Sequence, residues 1–358
     1  MEKTAERKRV KAALSRWKRD DFDYHLPEER IAQHPAQPRD SARLLVSRSD
    51  EVHDGQFRDI LDHLQAGDAL VLNDTRVIPA RLQGTKPTGG KVELLLVRPL
   101  AKADCWRAMG RSGKPLRPGQ VIQLAEGFSA EVLERKEEMV EIRLASSQGT
   151  VQEAIETHGR MPLPPYIQSA GQKQDRDDYQ TIFARHDGAV AAPTAGLHIT
   201  PGLMDAIKKR GVSIHHLTLH VGLGTFRPVR ENDLSKHVMH HEWCELSQET
   251  AEQLNAIRIG GGRTVAVGTT VVRTLESAAD SDGRLRAFCG ETDLFILPGY
   301  QFKAVDRMVT NFHLPKSTLL MLVAAFIGKE RMDRDYRFAI DNGFRFYSYG
   351  DASLLYPQ

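Results

Sequence analysis

Cysteine is scarce in this 358-residue chain: Cys105, Cys244 and Cys289 are odd in number and far apart, with no Cys-x-x-Cys. That excludes a disulfide framework and a zinc knuckle and fits reduced thiols in a cytoplasmic protein. No apolar run reaches membrane-spanning length, and no apolar signal core follows the basic start, so a cytoplasmic location without a membrane partner is expected. Charge of one sign is missing too. The 49 basic and 47 acidic residues leave a net charge of +2, too little for wholesale coating of nucleic acid; any RNA contact must be a local basic face. The common nucleotide-binding signatures are absent. Gly268-Thr269-Thr270 has no Walker lysine, and no glycine-rich loop follows an early strand with an acid about twenty residues on. Internal repeats and low-complexity segments are lacking as well.

The length allows two domains and a substantial core. Residues 1–20 carry Lys3, Arg7, Lys8, Arg9, Lys11, Arg16, Lys18 and Arg19 and read as a basic N-terminal extension. Residues 21–78 and 149–358 combine buried strands with capped helices and predict a discontinuous α/β (mixed α+β) catalytic domain. Between them, residues 79–148 change to period-two runs such as Val121-Ile122-Gln123-Leu124 and Val140-Glu141-Ile142-Arg143-Leu144, punctuated by turns such as Thr88-Gly89-Gly90 and Arg117-Pro118-Gly119. Short strands at about ten-residue spacing predict an inserted small antiparallel β-barrel.

The α/β part is organised around Gly188 to Arg230. Thr200 as N-cap, Pro201 at the first helical position and Gly211 after Lys208-Lys209-Arg210 mark a helix, followed by a strand over 212–221. On either side lie the loops Thr194-Ala195-Gly196-Leu197-His198 and Gly222-Leu223-Gly224-Thr225-Phe226. Polar loops also follow three other buried strands: Asn73-Asp74-Thr75-Arg76, Gly268-Thr269-Thr270 and Thr310-Asn311-Phe312-His313. Ligands of open α/β sheets bind at such strand ends. The patterns further predict a helix over 57–64, strands over 293–297 and 346–352, and an apolar helix stripe of Tyr179, Ile182 and Phe183. The proline-stiffened segment from Gly159 to Tyr166 reads either as a linker or as a rigid rim presenting Arg160 and Tyr166 to substrate.

The phrases PTAGLH, LHVGLGTFRPV, HVMHHEW, VGTTVVRTLES and TNFHLPKSTLLMLV resemble, nearly word for word, the S-adenosylmethionine:tRNA ribosyltransferase-isomerase family of queuosine biosynthesis. The resemblance runs from Asp21 to about Leu355. It implies a barrel insertion, S-adenosylmethionine as ribosyl donor and co-substrate, no metal, and tRNA as partner through its anticodon region. The implied reaction moves the ribosyl unit onto 7-aminomethyl-7-deazaguanine at the wobble position, giving epoxyqueuosine with release of adenine and methionine.

Such chemistry needs a base beside the sulfonium, an acid for departing adenine and anchors for the amino-acid tail. Histidines suit the first two. His198 and His220 are the candidates for the base, His240 with Glu242 is the competing pair, and His313 suits the leaving adenine. Thr269, Thr270 and Arg273, at a helix start, suit the tail carboxylate. Asn73, Asp74, Thr75, Arg76, Thr194, Gly196, Gly222, Gly224, Thr225, Phe226, Gly268 and Asn311 complete the expected donor site; Arg160, Tyr166, Asp178, Tyr179 and Gln180 form the expected acceptor-side set. A monomer is expected. Two other readings stand beside this one: a metal hydrolase on His237, His240 and Glu242, discriminated by chelators, and a non-catalytic RNA-binding protein resting on the barrel.

Overall fold

The computed structural model describes residues 16–137, 139–168, 172–222 and 229–358. In chain order the strands are β1 (Arg43–Ser47), β2 (Val52–Gln56), β3 (Ala69–Asn73), β4 (Thr75–Val77), β5 (Arg81–Thr85) and β6 (Lys91–Pro99). They continue as β7 (Cys105–Ser112), β8 (Val121–Ala125), β9 (Phe128–Lys136), β10 (Met139–Ser146), β11 (His186–Ala189) and β12 (Ser213–Leu219). The last are β13 (Glu242–Leu246), β14 (Thr264–Val267), β15 (Phe288–Thr292), β16 (Arg307–Asn311) and β17 (Ala352–Leu355). The helices are α1 (Val151–His158), α2 (Gln172–Asp178), α3 (Pro201–Lys209), α4 (Gln248–Ile259), α5 (Thr269–Ala278), α6 (Thr318–Ile327) and α7 (Lys329–Asp341).

Two compact units share these elements. The larger runs to Asp74 and takes in Thr181–Ala184 and Pro193–Gln358; the smaller is Thr75–Gln180 with Arg185–Ala192. The smaller unit therefore extends beyond the 79–148 segment read from the sequence, adding β4, β11, α1 and α2.

The larger unit holds a nine-stranded sheet, β15-β13-β12-β3-β14-β16-β17-β1-β2. Its centre is parallel: β12 and β14 both pair with β3, and β16 with β14. All of β3 is buried, as a strand covered on both faces must be. Alternate residues feed opposite cores: Ala69 and Val71 pack with α5 and α6 residues, Leu70 and Leu72 with Ile207 of α3 and Phe57. The apolar α6 is buried, capped by Ser317, whose Oγ accepts from Leu320 N. Thr200 caps α3 in the same way.

In the smaller unit a closed antiparallel barrel has the order β10-β7-β6-β5-β8-β9, with β4 and β11 as a separate parallel pair. The fold is thus the expected mixed α/β architecture with a small barrel.

Local departures have identifiable causes. The 57–64 segment forms a 3₁₀ turn over Phe57–His63, burying Phe57 and Ile60 three residues apart. No strand forms over 293–297, because Arg273 Nε takes the Leu294 carbonyl at 3.2 Å; the strand is β15, just before it. Residues 346–351 are irregular because Asn311 Nδ2 takes the Tyr347 and Ser348 carbonyls at 2.9 and 3.2 Å, so β17 starts only at Ala352. The helix before Tyr179 ends at Asp178, and Ile182 is exposed, so the expected stripe does not exist. Asn73–Arg76 is not a loop: Asn73 ends β3 and Thr75 begins β4.

Candidate functional site

The parallel order β12-β3-β14-β16 brings the C-terminal ends of four strands to one edge. Asn73 joins three of its components. Its Nδ2 donates to Leu219 O at 3.0 Å and to Thr270 Oγ1 at 3.2 Å, while its Oδ1 accepts from Leu219 N at 3.0 Å. Asp74 is buried and accepts from Thr218 Oγ1 at 2.8 Å. At the start of α5, Gly268 adopts φ 97°, and its amide donates to Val309 O at 2.7 Å. That left-handed backbone favours glycine and leaves the first-turn amides and Thr269 and Thr270 at the edge. Ala195, from the turn Thr194–His198, lies 3.7 Å from where a side chain on Gly268 would begin. A side chain on Gly196 in that turn would begin 2.8 Å from Phe183 Cζ, so the Phe183 ring would have to move.

His198 is buried, stacked on Phe57 with ring centroids 4.7 Å apart, and its Nε2 is 3.2 Å from Asn311 Oδ1. Because the Asn311 amide nitrogen donates to two carbonyls, its oxygen is the group that faces the ring, and Nε2 carries the proton. Burial pulls the His198 pKa down to about 4, against the opposing pull of Asn311. His313 has its Nε2 2.9 Å from Thr310 Oγ1, its amide donates to Tyr336 Oη at 3.0 Å and its carbonyl accepts from Tyr24 Oη. Burial alone takes its pKa down to about 3. Burial favours the neutral form of both rings.

His220, one residue beyond β12, is half-buried and stacks on Trp243 with centroids 5.0 Å apart and planes at 19°. Its amide donates to Trp243 O at 2.9 Å. Trp243 was not singled out from the sequence, although it closes the HVMHHEW phrase.

Arg273 and Glu242 form a buried ion pair. The Arg273 guanidinium also donates to Leu294 O at 3.2 Å and Thr292 O at 3.4 Å, and Glu242 Oε1 accepts from Gly222 N at 3.0 Å. The pair thus ties α5 to β13 and to the start of the loop at Gly222, and its charge is compensated internally. His240 is exposed in an irregular segment before β13, whereas Glu242 is buried within that strand. Among the described residues no group of three or more His, Cys, Asp and Glu converges as a metal set, so His237, His240 and Glu242 do not assemble one. Gly224, Thr225 and Phe226 lie outside the described residues.

Other expected residues belong to the smaller unit. Arg76 pairs with Asp187 at 3.2 Å and Glu156 at 3.8 Å. Gln180 reads the main chain of Val77 twice, accepting at 3.2 Å and donating at 3.1 Å. Thr75, Asp178 and Tyr179 are buried, Tyr166 is half-buried and Arg160 is exposed, bridged through its backbone to Arg81.

Fold and edge together give an α/β unit with a cluster of polar groups at the ends of its parallel strands, the place where open α/β sheets hold small ligands. The chain matches the family described as "Queuosine biosynthesis protein" over residues 19–355. It is 57% identical to the S-adenosylmethionine:tRNA ribosyltransferase-isomerase of Magnetococcus marinus, over 94% of this chain and 93% of that one. It is 53% identical to the enzyme of the same name from Geobacter metallireducens, over 94% and 99%. The crystal structure of S-adenosylmethionine tRNA ribosyltransferase from Thermotoga maritima is 36% identical, with a TM-score of 0.53 over 93% of this chain and 99% of that one. The chain belongs to the S-adenosylmethionine:tRNA ribosyltransferase-isomerase family.

Proposed function

We infer that this chain is a queuosine-biosynthesis enzyme that transfers and isomerises the ribosyl unit of S-adenosylmethionine onto tRNA. The observation that carries the reading is 57% identity to a ribosyltransferase-isomerase across 94% of the chain. The acceptor is 7-aminomethyl-7-deazaguanine at the wobble position, reached through the anticodon region; the product is epoxyqueuosine-tRNA, with adenine and methionine released. The enzyme acts as a monomer.

The donor lies at the strand edge of the larger unit. The lining suits a sulfonium cation: His198 and His313 are held neutral, and Arg273 is compensated by Glu242, so none of these adds an uncompensated positive charge. The amides and hydroxyls at Gly268, Thr269 and Thr270 hold the tail carboxylate. His220 takes the proton beside the sulfonium, because His198 is spent on Asn311. His198 and Asn311 are positioning residues that fix the backbone at Tyr347 and Ser348.

The test combines enzyme, S-adenosylmethionine and tRNA bearing the aminomethyl base. Adenine and methionine should appear in equal amounts, and the digested tRNA should yield the epoxy nucleoside. Methyl transfer to the tRNA, with release of S-adenosylhomocysteine, would contradict the reading.

A further inference from the structure

We propose that one end of the barrel, formed by the β5–β6 turn and the β7–β8 loop, is a phosphodiester-binding face that docks the tRNA backbone. This rests on tRNA being the substrate, and it adds a contact that is independent of recognition of the reacting base.

Charge is the first observation. Between Arg81 and Ser146 the chain has twelve basic and eight acidic residues, an excess of four against +2 for the whole protein. The excess is not evenly distributed. Elsewhere on the barrel most cations with a described partner are paired, Arg81 with Glu93 at 3.1 Å, Arg107 with Glu141 at 2.9 Å, Lys136 with Glu134 at 3.1 Å, and Arg143 with Glu131, whereas Arg135 donates to the Glu137 carbonyl at 3.0 Å and Lys102 has no carboxylate partner among the described residues. Lys86, Lys91, Arg111, Lys114 and Arg117 form no ion pair with a carboxylate among the described residues, and all but the half-buried Lys86 are exposed.

Topology gathers these five. Val92 lies opposite Ser112 and Glu93 opposite Arg111, which sets Lys91 beside the exit of β7. Lys86 Nζ donates to Lys114 O at 2.8 Å, tying the turn to the loop. The β9–β10 turn closes the same end of the barrel and brings Glu134, paired with Lys136 at 3.1 Å, and the exposed Glu137, while Glu93 is committed to Arg81; the five cations still outnumber these carboxylates. The loop is also held from beneath: Leu116 is buried, with Cδ1 2.6 Å from the point where a side chain on Gly110 would begin. Pro87, Pro115 and Pro118 stiffen both segments.

A supported cluster of like charges repels itself in the free protein, and a polyanion relieves that repulsion while releasing its own counterions. The donor is itself a cation, so the acceptor RNA is the polyanion available to this protein. Lysine- and arginine-rich contacts of this kind read backbone, not sequence.

The experiment uses the full-length protein with Lys91→Ala, Lys114→Ala and Arg117→Ala combined. Direct tRNA binding is measured across a potassium chloride series, alongside steady-state turnover. The affinity for tRNA should fall about tenfold or more, and the slope of log K against log salt should become shallower by about two to three. KM for tRNA should rise in step, while kcat at saturating tRNA and KM for S-adenosylmethionine stay unchanged, a split that general barrel damage would not give. Restoring charge with Lys91→Arg, Lys114→Arg and Arg117→Lys should restore binding, and Lys136→Ala on the neighbouring hairpin should leave it unaltered. Unchanged affinity and salt slope in the triple alanine variant would overturn the proposal. Absence of turnover in the wild type would instead count against the enzymatic reading, since binding is read separately.

Discussion

At the scale of single residues, burial sets the protonation of two histidines. His198 and His313 have folded-state pKa values near 4 and 3 against 6.5 for the free side chain. Between those values and 6.5 the unfolded chain binds protons that the folded chain does not, so their stabilising effect is complete above about pH 6.5 and is lost as the pH falls toward 4. Each contributes a slope of up to about 1.4 kcal/mol per pH unit in that window. Urea unfolding of His198→Gln should show a shallower decline from pH 6.5 to 4.5 than the wild type, whereas identical slopes would contradict the assignment. The Arg273–Glu242 pair poses a different question. Removing one member of a buried pair costs about 3–5 kcal/mol because the other charge is stranded. Arg273→Met should therefore lower stability by about that amount, and adding Glu242→Gln should recover part of the loss. A normal denaturation midpoint with weakened donor binding alone would instead make Arg273 the carboxylate anchor.

Elements show how far sequence patterns carry. Caps and turns were legible because their chemistry is local: Thr200 before Pro201 and Gly211 after the basic turn occupy their expected places. The barrel was legible because its faces alternate strictly. The segments at 293–297 and 346–351 misled because their backbone carbonyls are taken by Arg273 and Asn311, side chains remote in the chain. Site residues were hidden for the same reason. Nothing near His198 in sequence announces Asn311, 113 positions away, as the group that holds it. Gly268 was readable, and its φ of 97° explains why. Gly268→Ala has space, with Thr270 Oγ1 at 3.6 Å, so its cost is backbone strain of about 1–3 kcal/mol. Calorimetry should register that loss together with a raised KM for S-adenosylmethionine; a wild-type melting temperature would mean that the α5 start relaxes to accept a side chain.

For the whole molecule, the larger unit carries the strand edge proposed to bind the donor, and the barrel segment of the smaller unit carries the excess positive charge. The net charge of +2 is informative only when divided, since the barrel segment exceeds it and the remainder is acidic. Among the described residues no helix is long and apolar enough to cross a membrane. In the proposed function the sheet edge binds S-adenosylmethionine and His220 removes the proton beside its sulfonium. Solvent-deuterium exchange into that carbon, followed by mass spectrometry, tests it most directly. His220→Ala should slow exchange by about a hundredfold or more while donor binding survives, and His240→Ala should exchange like the wild type. Exchange that persists in His220→Ala and disappears in His240→Ala would contradict the account.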